Sequence, residues 1–175
     1  IIPLAFAGVL IGTFTFSYLT NDHIRIIIGL IAIIFCLDYY FRKDSDNPKK
    51  PSKFASYFWP SLSGFTSFSI HAGGLPLSFY LLPMRLERTM YVATAGLFYL
   101  LINLFKIFPY AYLGEMNFEN IYTSLLLLPL APLGVYFGAY LIDKIGQDWF
   151  YKIGYFCTFL AGCKLFYDGS IKLFL

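Results

Sequence analysis

Gly64, Ser67 and His71 are spaced by three and four residues, so on a helix they share one face, and the last of them begins the run His71-Ala72-Gly73-Gly74-Leu75-Pro76. An imidazole titrates near neutrality and can carry a proton. Gly73 and Gly74 permit backbone geometries closed to other residues and let a ligand approach the main chain. Pro76 suits the first turn of a new helix, where its missing N–H leaves nothing unpaired. A helix starting there would turn free N–H groups and a positive dipole end toward the break, an arrangement that binds anions. Ser63 and Thr66 lie beside this face and serve equally well as helix-to-helix glue. A second polar stripe follows, in which Gly96, Tyr99, Asn103, Lys106 and Tyr110 advance by three or four. Lys106 would attract an anion and Asn103, one turn earlier, would orient it; the plainer role for Lys106 is to snorkel toward an interface. The candidate substrate-binding set is therefore Ser67, His71, Gly73, Gly74, Pro76, Asn103 and Lys106.

Other chemistries find less support. Ser67 and His71 could meet across one helical turn as nucleophile and base, but the chain has no Gly-x-Ser-x-Gly elbow and no acid partner nearby, so no catalytic residue is assigned. Cys36, Cys157 and Cys163 are separated and sit in apolar segments, where cysteine behaves as a small hydrophobe. They suggest neither a disulfide framework nor a metal site, and no cofactor is implied. A phosphate loop of the GxxxxGK[ST] type is absent, so energy for any transport would come from a gradient or a separate subunit.

The elements that must position these groups belong in lipid. The chain of 175 residues is 58% hydrophobic and only 13% charged, against about 25% charged for a soluble domain. Its mean hydropathy is +0.65. A net charge of +3 is too small to argue for nucleic acid. The expected fold is an all-α integral membrane protein, a polytopic helical bundle with an internal repeat and a broken helix. Residues 1–41 hold two helices, Ile1–Leu19 and Ile24–Phe41, separated by the polar Thr20-Asn21-Asp22-His23. Residues 42–53 form a hydrophilic linker with Arg42, Lys43, Lys49, Lys50 and Lys53, cytoplasmic by the positive-inside rule. Residues 54–175 contain the broken helix 54–83 and helices 90–113, 121–142 and 149–167. Irregular backbone at membrane depth survives only where protein or a wet cavity satisfies its polar groups, which makes the break a candidate permeation site.

Pro3-Leu-Ala-Phe-Ala-Gly-Val-Leu-Ile-Gly12 matches Pro129-Leu-Ala-Pro-Leu-Gly-Val-Tyr-Phe-Gly138 in register, and Gly29 answers Gly154 with one residue of slip. Two helices thus recur at a spacing of about 126 positions. Residues 1–41 read as the last two helices of a first repeat and 54–175 as the whole second, which predicts roughly 70 residues upstream of Ile1 as partners of Phe54–Leu128. If 54–83 crosses once, the copies share one topology. If it returns as a hairpin, the turn with Arg85 and Arg88 joins the cytoplasmic side, the acidic turn Gly114–Asn120 is external, and the copies are inverted; the Lys/Arg distribution favours the hairpin. Gly8 with Gly12, and Gly134 with Gly138, form GxxxG patterns expected to pack helices closely.

The stretches GFTSFSIHAGGLPLSFYLLP and TAGLFYLLINLFKIFPYAYLG resemble the second half of the sulfite exporter TauE/SafE membrane proteins, and PLAFAGVLIGTFTFSYL looks like the end of their first half. One departure is Leu75, where such proteins often carry a second proline. The resemblance implies a bacterial inner-membrane, multi-pass secondary transporter, an exporter of small sulfur-containing anions such as sulfite, thiosulfate or organosulfonates. Its implied partners are the anion and the lipid bilayer, with a homo-oligomer left open. The alternatives are a non-transporting scaffold or sensor subunit and, behind it, an intramembrane Ser/His enzyme.

Overall fold

The computed structural model of the chain describes residues 1–15, 21–41, 47–113, 122 and 125–174. Seven longer α-helices run through them: α1 Ile2–Thr15, α2 Asn21–Phe41, α3 Lys53–Ser69, α4 Gly74–Leu81, α5 Arg88–Tyr112, α6 Leu130–Lys144 and α7 Gln147–Phe174, with a 3-10 turn at Leu82–Met84. No strand occurs among the described residues. Arg42, Lys43 and the acidic turn Gly114–Asn120 lie outside them. Among the described residues two helices, α2 and α5, are long and apolar enough to cross a membrane. The 28 residues of α7 rise about 42 Å at 1.5 Å each, more than a hydrocarbon core of about 30 Å.

Close helix pairs carry the architecture. On α1 and α3, a Cβ added to Gly8 would overlap the Ser61 carbonyl, and one added to Gly64 would overlap that of Ala5. Gly12 meets Phe65 and Phe68 farther along, so the two helices run parallel. On α2 and α7, Gly169 meets Asp22, Gly162 meets Gly29 and Ala32, and Cys36 Sγ donates to the Tyr155 carbonyl at 3.4 Å. One partner number rises as the other falls, so this pair is antiparallel. Tyr39 stacks on Tyr155 with ring centroids 3.5 Å apart. Ala5, Val9, Phe68, Leu77, Leu81, Phe98 and Ile102 form the apolar core joining α1, α3, α4 and α5. A second cluster seats Leu75 and Phe79 of α4 on Ile24, Ile28 and Ala32 of α2.

The stretch 54–83 folds back on itself. Ser52 starts α3 as an N-cap, its Oγ accepting from Ala55 N at 3.1 Å, a standard way to satisfy a first-turn donor. The helix ends at Ser69, and α4 returns along it. Lys49 N donates to Pro83 O at 2.8 Å, so both ends of the segment lie together beside the linker. Arg85, which has φ of 47°, ties the exit in place: it bonds Tyr39 Oη at 3.0 Å and reaches Asp148 at 3.4 Å. Gln147 and Tyr151 both donate to Leu86 O, at 2.7 and 2.6 Å.

Several boundaries differ from expectation for identifiable reasons. Helix α2 starts at Asn21 instead of Ile24, because Asp22 sits favourably in a first turn and pairs with Arg25 at 2.9 Å. The span expected over 121–142 is interrupted by a turn at Leu128–Pro129, since proline lacks an N–H and clashes with the carbonyl four residues back. On α6, no residue is buried, and a Cβ on Gly134 or Gly138 would meet nothing within 4 Å. Its GxxxG pattern therefore packs no helix among the described residues.

Candidate anion site

The break is built from the end of α3. Thr66 O accepts from Ile70 N at 3.1 Å and Ala72 N at 3.2 Å. Ser63 Oγ donates to Gly73 O at 2.7 Å, fastening the reversing chain back onto α3. The hydroxyl beside the predicted face is thus a clasp. Gly73 is glycine because of this close approach: a Cβ there would stand 2.6 Å from Ser67 Cβ and 2.7 Å from Ser63 O, while its φ is an ordinary −59°. His71 takes the left-handed backbone, with φ of 55°. A left-handed non-glycine residue costs about 1–2 kcal/mol, and such strain clusters at functional sites.

Lys106 reaches this region from α5. It is only 6% exposed, and its Nζ donates to Ser67 O at 2.9 Å and Ser67 Oγ at 3.1 Å. Tyr110 Oη donates to Phe68 O at 3.2 Å. Together they cover carbonyls that α3 leaves unpaired at its end, and the ammonium meets the negative pole of that helix. No carboxylate pairs with Lys106 among the described residues. The Lys106 ammonium and the His71 ring both flank Tyr110, at 5.6 and 6.2 Å from its ring centroid.

A cavity of about 480 Å³ opens on the other side of the break, between α4, α5 and α7. His71, Gly74, Ser78, Tyr91, Tyr99 and Thr158 supply its polar wall. Gly74 is exposed there, and as a first-turn residue its N–H has no acceptor in its own helix. The Tyr99 hydroxyl stands 3.5 Å from where a Gly74 Cβ would be.

The predicted residues thus fall into three groups. His71 and Gly74 line the cavity. Ser67 and Lys106 are bonded to each other behind it, with Gly73 and Pro76 buried in its supporting wall. Asn103 is exposed and does not line the cavity. Ser67 and His71 do not meet as nucleophile and base, because α3 unwinds after Ser69 and Ser67 Oγ takes its hydrogen bond from Lys106. Sequence reasoning put Tyr99 on the polar stripe without assigning it to the site. It read Cys157 as a small hydrophobe without placing it at a site, and it missed Tyr91 and Thr158 altogether. For the last of these no signal existed, since Thr158 Oγ1 donates to Gly154 O at 2.7 Å, the ordinary behaviour of a hydroxyl in an apolar helix.

Residues 1–165 match the family model described as Sulfite exporter TauE/SafE. Neither curated proteins nor solved structures give a match.

Proposed function

Since this chain belongs to the sulfite exporter TauE/SafE family, we propose that it is a multi-pass secondary transporter that exports small sulfur-containing anions across the cell's inner membrane through the cavity at the helix break. The observation that carries this reading is the cavity itself, which His71, Gly74 and Tyr99 line beside an interrupted apolar segment. Electrostatics support an anion. A helix end bears roughly half a charge. The Lys106 ammonium more than offsets the negative end of α3, and the start of α4 adds a partial positive charge. His71, exposed to the cavity, is the group we assign to proton coupling.

An inverted repeat is the architecture we assign to the chain. The offset that carries Pro3 onto Pro129 carries Gly29 onto Tyr155 and Cys36 onto Gly162. The Gly29–Gly162 and Cys36–Tyr155 contacts therefore map onto each other. Equivalent helices α2 and α7 run antiparallel, as two copies of opposite topology require. The hairpin at 54–83 is supported by the Lys49–Pro83 hydrogen bond. It gathers Lys49, Lys50, Lys53, Arg85 and Arg88 on one side, which we assign to the cytoplasm.

The test is efflux of radiolabelled sulfite from proteoliposomes containing the chain. Loss of flux in His71→Ala and Lys106→Ala is expected, and unchanged flux in the double variant overturns the site. A scaffold or sensor would show no substrate-dependent counterflow in the unaltered protein.

A further inference from the structure

We propose that the solute leaves the cavity at the break along one face of α7 and passes Leu165, an apolar gate, into a second cavity beside Arg25; this rests on the reading that the first cavity holds the anion. The second cavity, of about 470 Å³, is lined by Arg25, Ile70, Leu165, Asp168 and Ile171. Among the described residues, Leu165 is the one that lines both cavities. On α7, Thr158 and Ala161 line the first and Asp168 the second. Positions 158, 161, 165 and 168 advance by three and four, so they share one helix face. That face runs from one cavity to the other over about 15 Å, at 1.5 Å of rise per residue.

The wall between the cavities is thin on the opposite flank too. Ile70 lines the second cavity, and the next residue, His71, lines the first. Ile70 and Leu165 both pack against the cluster of Ile24, Ile28, Ala32, Leu75 and Phe79, so the partition is apolar. A hydrophobic constriction closes a path by excluding water, and an anion entering it loses hydration with no polar group to replace it. Charge returns just beyond. Arg25 pairs with Asp22 at 2.9 Å and Lys164 with Asp168 at 3.0 Å, and Asp168 lies less than one helical turn past Leu165. Leu165 is half-buried, so its side chain has open volume on either side into which to rotate. Arg25 belongs to the start of α2, whose far end at Phe41 precedes the basic linker. The second cavity therefore lies toward the side opposite Lys49, Lys50 and Arg85, which is the exit side for an exporter.

Cys157, which lines the first cavity, can report the gate. In a chain carrying Cys36→Ala and Cys163→Ala, an impermeant anionic thiol reagent, 2-sulfonatoethyl methanethiosulfonate, is applied to sealed vesicles from the Arg25 side and, separately, from the linker side. Leu165→Ala is expected to speed modification of Cys157 from the Arg25 side by about tenfold or more, with the rate from the linker side unchanged within about twofold. Ile70→Ala gives the same reading from the break should the α7 variant fold poorly. Leu165→Trp is expected to lower sulfite efflux by about tenfold or more while sulfite affinity stays within about twofold. Equal acceleration from both sides means a loosened bundle and overturns the gate, as does a rate indifferent to both residues; either result leaves the anion cavity standing. Weakened sulfite binding in Leu165→Trp also overturns the gate, because it puts Leu165 in the binding wall. Failure of sulfite to bind the unaltered chain overturns the anion cavity, and the gate with it.

Discussion

His71 adopts a backbone conformation that glycine takes freely, although neither Gly73 nor Gly74 has a positive φ. Retaining an imidazole there at a cost of about 1–2 kcal/mol makes sense if the side chain is used. His71→Gly should therefore raise the apparent melting temperature by about 2–8 °C, at about 2–4 °C per kcal/mol, while sulfite flux falls. A variant that is stabilised and still transports normally would remove the imidazole from the mechanism. Lys106 has two tasks, covering the end of α3 and supplying positive charge. Lys106→Met leaves the buried Ser67 carbonyl unpaired, at about 1–3 kcal/mol, so thermal stability and flux should both fall. Tyr99→Phe removes only a hydroxyl, so the apparent KM for sulfite should rise several-fold with the melting temperature unchanged. The sequence marks the faces that carry these groups, because spacing of three and four fixes a helix side. It does not say what that side meets, and so Lys106 reads as a cavity charge when its ammonium is held on Ser67.

At the scale of elements, one motif has two outcomes. Gly8-x-x-x-Gly12 on α1 admits the backbone of α3, while Gly134-x-x-x-Gly138 on α6 stands open among the described residues. A glycine pattern states that a helix face can be approached closely, and the approaching partner is a property of the whole fold. Gly8→Ala and Gly64→Ala each drive a methyl into a carbonyl that no rotamer change can move aside. Each should destabilise by about 1–3 kcal/mol or more, measured by unfolding in detergent. Gly134→Ala and Gly138→Ala should instead leave the stability of the chain unchanged or slightly raised, as alanine is the better helix former by about 1 kcal/mol. Long apolar segments such as α2 and α5 are legible in the sequence because length and composition suffice to define them. The turn at Leu128–Pro129 is harder to read: Pro129 lies within an apolar run, and proline inside α3 and α5, at Pro60 and Pro109, ends neither helix.

For the molecule as a whole, the hairpin fixes which loops share a side. In a variant lacking Cys36, Cys157 and Cys163, cysteines placed at Lys50 and Glu87 should react with an impermeant maleimide from the same side of the membrane, and one placed at His23 from the other. Opposite labelling of the first two would mean a single crossing and would undo the inverted arrangement. The glycine crossings have a mechanical outcome as well. Sliding α1 along α3 drives main chain into main chain, and so does sliding α2 along α7. Each pair behaves as a stiff beam. The cavity is walled by α4 and α5, which pack against the first pair, and by α7 of the second, so in the proposed transporter the anion would sit at the seam between the two beams.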